Sequence, residues 1–179
     1  MILRIISGKF GGRIIQAPNG KITHPMSERV RGSLFNIIDS ELEDAKVLDA
    51  FAGTGSLGLE ALSRGARHVT FVERDRVTSK ILNENINTLD VANYTTTTQI
   101  GLSTWIDKSQ DEVYDIIFVD PPYNNLQLST VSRLIGLLKS NGLMILSYPG
   151  KGEVPSIMGV VVVDNRSYGN AALTFYRKK

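Results

Sequence analysis

The sequence predicts an α/β protein built on a doubly wound, mostly parallel sheet of seven strands, with a small N-terminal hairpin-plus-helix extension. Three observations predict it. Strand patterns at 47–51, 69–73, 95–100, 115–119 and 142–148, apolar except for the β-prone threonine run at 95–98, alternate with helical patterns near 57–64, 75–89 and 128–139, the rhythm of a parallel sheet wrapped by helices. A glycine-rich turn at Gly53, Gly55 and Gly58 joins the first of these strands to the first helix. Two late runs, Val160 to Val163 and Leu173 to Tyr176, joined by 165–170, read as an antiparallel hairpin that completes the sheet. At 179 residues and 42% hydrophobic, the chain has the size of one domain with a substantial core.

The elements follow in order. Leu3 to Ser7 and Arg13 to Gln16 flank Gly8-Lys9-Phe10-Gly11-Gly12 as a small hairpin, closed by Pro18-Asn19-Gly20. Ser27 is the expected N-cap of a helix whose apolar face carries Val30, Leu34, Ile37 and Ile38, with Arg29 and Arg31 on its flanks. Residues 1–40 hold an excess of four positive charges, whereas the rest of the chain is slightly acidic. Such a surface suits nucleic-acid phosphates, and Arg4, Lys9, Arg13, Arg29 and Arg31 are the expected contacts. The expected organisation is therefore a basic extension at 1–40 and a catalytic domain at 41–179.

Composition narrows the chemistry. The absence of cysteine excludes disulfides, thiol catalysis and a cysteine-ligated metal. With two histidines, His24 beside Pro25 and His68 before a strand, no metal site is expected. No stretch of eighteen apolar residues appears, and a soluble, monomeric, cytoplasmic protein is expected.

The run from Val47 to Gly58 places Asp49 at a strand end and Gly53-x-Gly55-x-x-Gly58 in the turn that follows. Glu73 closes the next strand, twenty residues after Gly53, where a ribose-binding acid belongs. The spacing formally fits NAD or FAD, so a nucleotide-dependent oxidoreductase is a serious rival. Electrostatics disfavours it, because a pyrophosphate beside Asp49 would bring two anions together. S-adenosylmethionine carries no phosphate; it offers an ammonium and a sulfonium to Asp49, and its ribose hydroxyls to Glu73.

The second motif is Asp120-Pro121-Pro122-Tyr123, directly after the apolar run Ile116 to Val119. Two prolines cannot extend a ladder, so the strand stops and the carboxylate faces a crevice. An acceptor carboxylate, an unpaired proline carbonyl and an aromatic face suit a planar ring bearing an amino group, as in a flipped nucleobase.

These runs, together with Arg4-Ile5-Ile6-Ser7-Gly8 and Arg29-Val30-Arg31-x-x-Leu34-Phe35-Asn36, resemble the bacterial small-subunit ribosomal RNA guanine-N2 methyltransferases over nearly the whole chain. The resemblance implies a Rossmann-like methyltransferase domain that moves a methyl group from S-adenosylmethionine to the N2 of a guanine in 16S ribosomal RNA, that at position 966. It implies catalytic roles for Asp120, Pro121, Pro122 and Tyr123, and cofactor contacts at Asp49, Phe51, Gly53, Gly55, Glu73, Arg74, Leu102 and Asp120. The Asp-Pro-Pro-Tyr type of run is shared with adenine-N6 enzymes, so it fixes the reaction better than the base, and a non-catalytic RNA-binding module is a further alternative. Arg74-Asp75 reads equally as a helix start. The chain departs from the family at four places. His24 stands where arginine is usual, Gly32 replaces an acid, Gly101 leaves adenine recognition to the Leu102 backbone, and Ser147-Tyr148-Pro149 lacks an acid after the fifth strand of the main domain.

Overall fold

The computed structural model describes residues 2–18 and 25–179, so Asn19, Gly20, Lys21 and His24 lie outside the described residues. Strands β1 (Ile2–Arg4) and β2 (Ile14–Gln16) pair antiparallel, and helix α1 (Glu28–Ile38) follows. Ser27 caps α1 by accepting the Val30 N–H at 3.3 Å, as its position in the sequence predicts. Then come β3 (Lys46–Asp49), α2 (Ser56–Ser63), β4 (His68–Val72), α3 (Arg76–Leu89), β5 (Thr95–Thr98), α4 (Leu102–Lys108), β6 (Tyr114–Val119), α5 (Leu128–Arg133), β7 (Leu138–Pro149), β8 (Val160–Tyr168) and β9 (Ala171–Lys178).

Strands β3 to β9 form a single seven-stranded sheet in the order β5-β4-β3-β6-β7-β9-β8. The first five are parallel; β9 inserts antiparallel between β7 and β8. Period-two alternation sorts the core. Val47, Ile116, Phe118, Leu143 and Ile145 face the layer of α1, α2 and α3, while Leu48, Ile117, Val119, Met144 and Leu146 face that of α4 and α5. Each of these buried side chains contributes about 1.5–3 kcal/mol of transfer free energy. Because the chain order reverses between β3 and β6, the crevice of a doubly wound sheet opens at their carboxyl ends.

Two glycines make the β3-to-α2 turn possible. Gly55 sits at the α2 N-cap with φ +88°, and a Cβ on Gly58 would stand 2.3 Å from the Phe71 ring, so α2 could not lie this close to β4 with a larger residue.

The structure departs from the expected elements in four places. Helix α4 was not foreseen; Leu102, Trp105 and Ile106 bury one short face. The helix expected over 128–139 ends at Arg133, passes through a 3₁₀ turn and gives way to β7, which starts at Leu138 because Leu138 pairs with Tyr114. Strand β8 runs on to Tyr168, through residues expected to be a connection, because β9 supplies a continuous ladder partner. On α1, Phe35 is buried against Phe118 in place of Ile37, which is exposed.

Candidate active site

Asp49, Glu73 and Asp120 converge at the carboxyl ends of β3, β4 and β6. Asp49 is 1% exposed; its Oδ2 accepts the Gly58 N–H at 3.0 Å, and its Oδ1 is buried with no partner among the described residues. Burial, reinforced by the charges of Asp120 and Glu73 and opposed by the Gly58 bond, pushes the Asp49 carboxyl up to about 7. Burial likewise raises Asp120 to about 6, opposed by the Ser147 hydroxyl, although Asp120 retains partial solvent access. Glu73 is raised by burial as well, but its oxygens take the N–H groups of Gly53 at 2.9 Å and Asp75 at 2.7 Å. Three carboxylates gathered at one mouth, Asp49 raised further by the charges of the other two and left with a buried, unpaired oxygen, suit a cation.

The turn leaves room beside them. A Cβ on Gly53 would meet nothing within 4 Å, and Phe51 is half-buried at the rim. Leu102 buries its side chain in the core and opens α4 with its backbone N–H at the first turn. Arg74 is exposed, whereas Asp75 caps α3 through the Thr78 N–H at 2.8 Å, which is the helix-start reading.

Past Val119 the chain leaves the sheet. Pro121 is buried and Pro122 exposed; the Pro122 carbonyl accepts the Asn125 N–H at 2.9 Å, while that of Pro121 has no protein donor among the described residues. Tyr123 is 40% exposed and its hydroxyl lies 2.8 Å from Ser147 Oγ. Sequence reading marked Ser147 only as part of a segment lacking an acid; its place beside Asp120 follows from the pairing of Leu146 with Val119 one step earlier.

The N-terminal hairpin is docked on α2. Glu60, 0% exposed, accepts the N–H groups of Ile6 and Ser7 at 2.7 and 3.1 Å, and Ser63 Oγ accepts that of Phe10 at 2.9 Å. Gly8, with φ +80°, passes so close that a Cβ would stand 1.9 Å from the Ser63 carbonyl oxygen. Arg4, Lys9, Arg13 and Arg29 are exposed and take no part in the ion pairs among the described residues. Arg31 is a correction. It is 1% exposed, donates to the Arg4 carbonyl at 2.5 Å and faces the charge of Glu60, so it braces the hairpin and cannot present its guanidinium to a phosphate. Helical phase accounts for this: Arg31 lies one turn before Phe35, on the buried face.

Among the described residues no helix is long and apolar enough to cross a membrane, and no group of three or more metal-ligating side chains occurs.

A mostly parallel sheet closed by an antiparallel pair, with its glycine turn and acidic strand ends at the crevice, is the architecture of methyltransferases. A solved Escherichia coli methyltransferase, yhhF, superposes with a TM-score of 0.89 at 32% identity, covering 100% of this chain and 99% of that one. The chain belongs to the small-subunit ribosomal RNA methyltransferase D family: the family model described as conserved hypothetical protein 95 matches residues 3–177. Ribosomal RNA small subunit methyltransferase D of Escherichia coli K12 is 39% identical over 140 residues, 78% of this chain and 68% of that protein. The Bacillus subtilis protein named "Putative rRNA methyltransferase YlbH" is 31% identical over 99% of this chain and 100% of its own length. The resemblance read from the two motifs and the N-terminal block thus holds at the level of the family.

Proposed function

We propose that this chain methylates the N2 of a guanine in 16S ribosomal RNA, the guanine at position 966, with S-adenosylmethionine as donor. The observation that carries the reading is the trio of carboxylates at the strand ends, where Asp120 and Glu73 oppose ionisation of Asp49 and one Asp49 oxygen is buried without a partner. Such a site attracts a cationic ligand and repels a pyrophosphate, which separates this reading from a nicotinamide or flavin enzyme. Family membership and the small-subunit ribosomal RNA methyltransferase name of its relatives support RNA as the acceptor.

The residues fit the cofactor. Asp49 and Asp120 would face its positive groups, Glu73 its ribose hydroxyls, Gly53 and Gly55 the space beside the turn, and Phe51, Arg74 and the Leu102 N–H its adenine end. When bound, the cofactor supplies an electrophilic methyl group. The protein's own part is to aim the acceptor. The exocyclic amine is a poor nucleophile because its lone pair is conjugated with the ring. Hydrogen bonds from its two N–H groups to the Asp120 carboxylate and the Pro121 carbonyl favour a pyramidal nitrogen whose lone pair points at the methyl group. Pro122 holds the turn through Asn125, and Tyr123 offers its exposed ring for stacking on the flipped base. Asp120 then accepts the proton that the methylated amine sheds. Arg4, Lys9, Arg13 and Arg29 meet the RNA backbone.

The test is transfer of label from S-adenosylmethionine to small subunits lacking the modification, followed by nucleoside analysis. N2-methylguanosine is expected at one site. N6-methyladenosine would move the activity to adenine, and absence of transfer with tight NAD binding would overturn the reading.

A further inference from the structure

Ser147 stands where the chain lacks an acid after the fifth parallel strand, and it is built into the site more firmly than the residues it touches. It is 2% exposed, and β7 holds it in register with Leu173 of β9. The parallel ladder of β6 and β7 ends at the pair Val119 and Leu146, and the next residue along each strand is Asp120 on one and Ser147 on the other. Its Oγ lies 2.8 Å from the hydroxyl of Tyr123, a side chain that is otherwise 40% exposed on a loop.

We propose that Ser147 is a positioning residue for methyl transfer: its hydroxyl ties the Tyr123 ring to the Asp120 carboxylate, so that the stacking surface and the amine acceptor move as one unit. This rests on the reading of Asp120 and Tyr123 as the base-binding pair. A serine hydroxyl has one hydrogen. If that hydrogen is given to the Asp120 carboxylate, the bond to Tyr123 must run the other way, with the phenol donating to Ser147 Oγ. The resulting chain, Tyr123 to Ser147 to Asp120, has a single polarity and favours the ionised form of Asp120, the form that accepts most strongly from the substrate amine. An exposed tyrosine anchored at its far end loses the rotamer freedom that stacking on a base would otherwise have to remove.

The groups facing Asp120 make the hydroxyl consequential. Asp49 approaches from β3, with Glu73 of β4 beyond it, Tyr123 comes from the loop and Ser147 from β7. Burial opposes ionisation of Asp120, and among these described neighbours Ser147 is the group that favours it.

The experiment compares Ser147→Ala, Ser147→Thr, Tyr123→Phe, the Ser147→Ala/Tyr123→Phe double variant and Asp120→Ala in kcat and KM for the ribosomal particle between pH 6 and 8.5, with S-adenosylmethionine affinity measured alongside. Ser147→Ala is expected to lower kcat about tenfold at pH 6.5, the order of one hydrogen bond to a charged group, and to move the acid limb of the profile to higher pH. Cofactor affinity should stay within about twofold, since the change is on the acceptor side. Ser147→Thr, which keeps the hydroxyl, should restore most of the rate. Tyr123→Phe keeps the ring and breaks the same chain from its exposed end, so it remains informative if Ser147→Ala folds poorly; the double variant should be no worse than Ser147→Ala. A wild-type rate and acid limb in Ser147→Ala and Tyr123→Phe, with Asp120→Ala inactive, would overturn this proposal and leave the base-site reading standing. An active Asp120→Ala would overturn both.

Discussion

Strand β6 carries an aspartate near each end, and the two live in opposite environments. At the amino end, Asp115 bonds the Lys139 ammonium at 2.7 Å and the Lys46 N–H at 2.8 Å; burial alone would raise its pKa, but these bonds outweigh it and hold the carboxyl below its ordinary value. Just past the carboxyl end, Asp120 is raised to about 6 by burial, with only the neutral Ser147 hydroxyl opposing. The first end also holds Lys46 against Glu112 at 2.5 Å and Arg177 against Glu41 at 2.6 Å. The second end gathers Asp49, Glu73 and Asp120, none of which forms an ion pair among the described residues. One strand thus shows what stability asks of a carboxylate and what binding asks: partners supplied by the fold in one case, partners left for a ligand in the other.

Four substitutions sharpen or break that contrast. The largest effect belongs to Asp120→Ala, expected to lower methyl transfer by about two to three orders of magnitude with S-adenosylmethionine affinity within a few-fold. Single-turnover rates and calorimetry check it, and near wild-type rates would remove Asp120 from the chemistry. Next, Glu73→Ala should weaken the cofactor by roughly 1.5–3 kcal/mol in calorimetry. Binding that is unchanged would show the carboxylate to be a brace for Gly53 and Asp75 alone.

Asp49→Asn separates stability from function. A carboxyl whose pKa is raised in the folded state costs stability as pH climbs from its unfolded value near 3.8 to about 7. The amide removes that cost, so the ligand-free chain should gain about 1–3 kcal/mol above pH 7 and progressively less toward pH 4, while cofactor affinity falls. Urea melts at three pH values give the answer; a variant less stable at pH 8 would contradict the assignment.

Asp115→Asn is expected to do the reverse, and more weakly. A depressed pKa means stability present above the unfolded value and lost as pH falls, so the variant should lose about 0.5–1 kcal/mol at neutral pH with transfer unaffected. A fifth change tests the basic extension. Replacing Arg4, Lys9 and Arg13 by Gln should flatten the log-log salt dependence of particle binding by up to about two units, at roughly 0.7–0.9 per phosphate contact. Wild-type salt dependence would leave the hairpin as packing alone.

Much of the site was legible because its residues are local to strand ends. A carboxylate that closes an apolar run, followed by glycines or prolines, needs no tertiary information to be placed at the mouth of a parallel sheet, and Asp49, Glu73 and Asp120 all stand there. Helix α4 was also within reach, since Leu102, Trp105 and Ile106 keep helical spacing, but seven residues give too short a periodic signal to separate from a loop. Strand β8 was not within reach. Its polar half, Asp164 to Tyr168, is a strand because β9 lies beside it, and strand formation there is a property of the pair.

The sequence by itself determined the alternation that makes the sheet parallel, the glycine turn and the acids that mark its crevice, because each depends on the chemistry of neighbours within a few residues. Tertiary structure alone decided three things. It seated Ser147 against the Tyr123 hydroxyl, through a strand register that spans more than twenty residues of chain. It pinned the hairpin to Glu60 and Ser63, more than fifty residues away. It turned Arg31, which reads as a surface cation, into an internal brace. In each case the partner is distant in sequence, and the energy of the contact exists only after the core of α1, α2 and the sheet has closed around it.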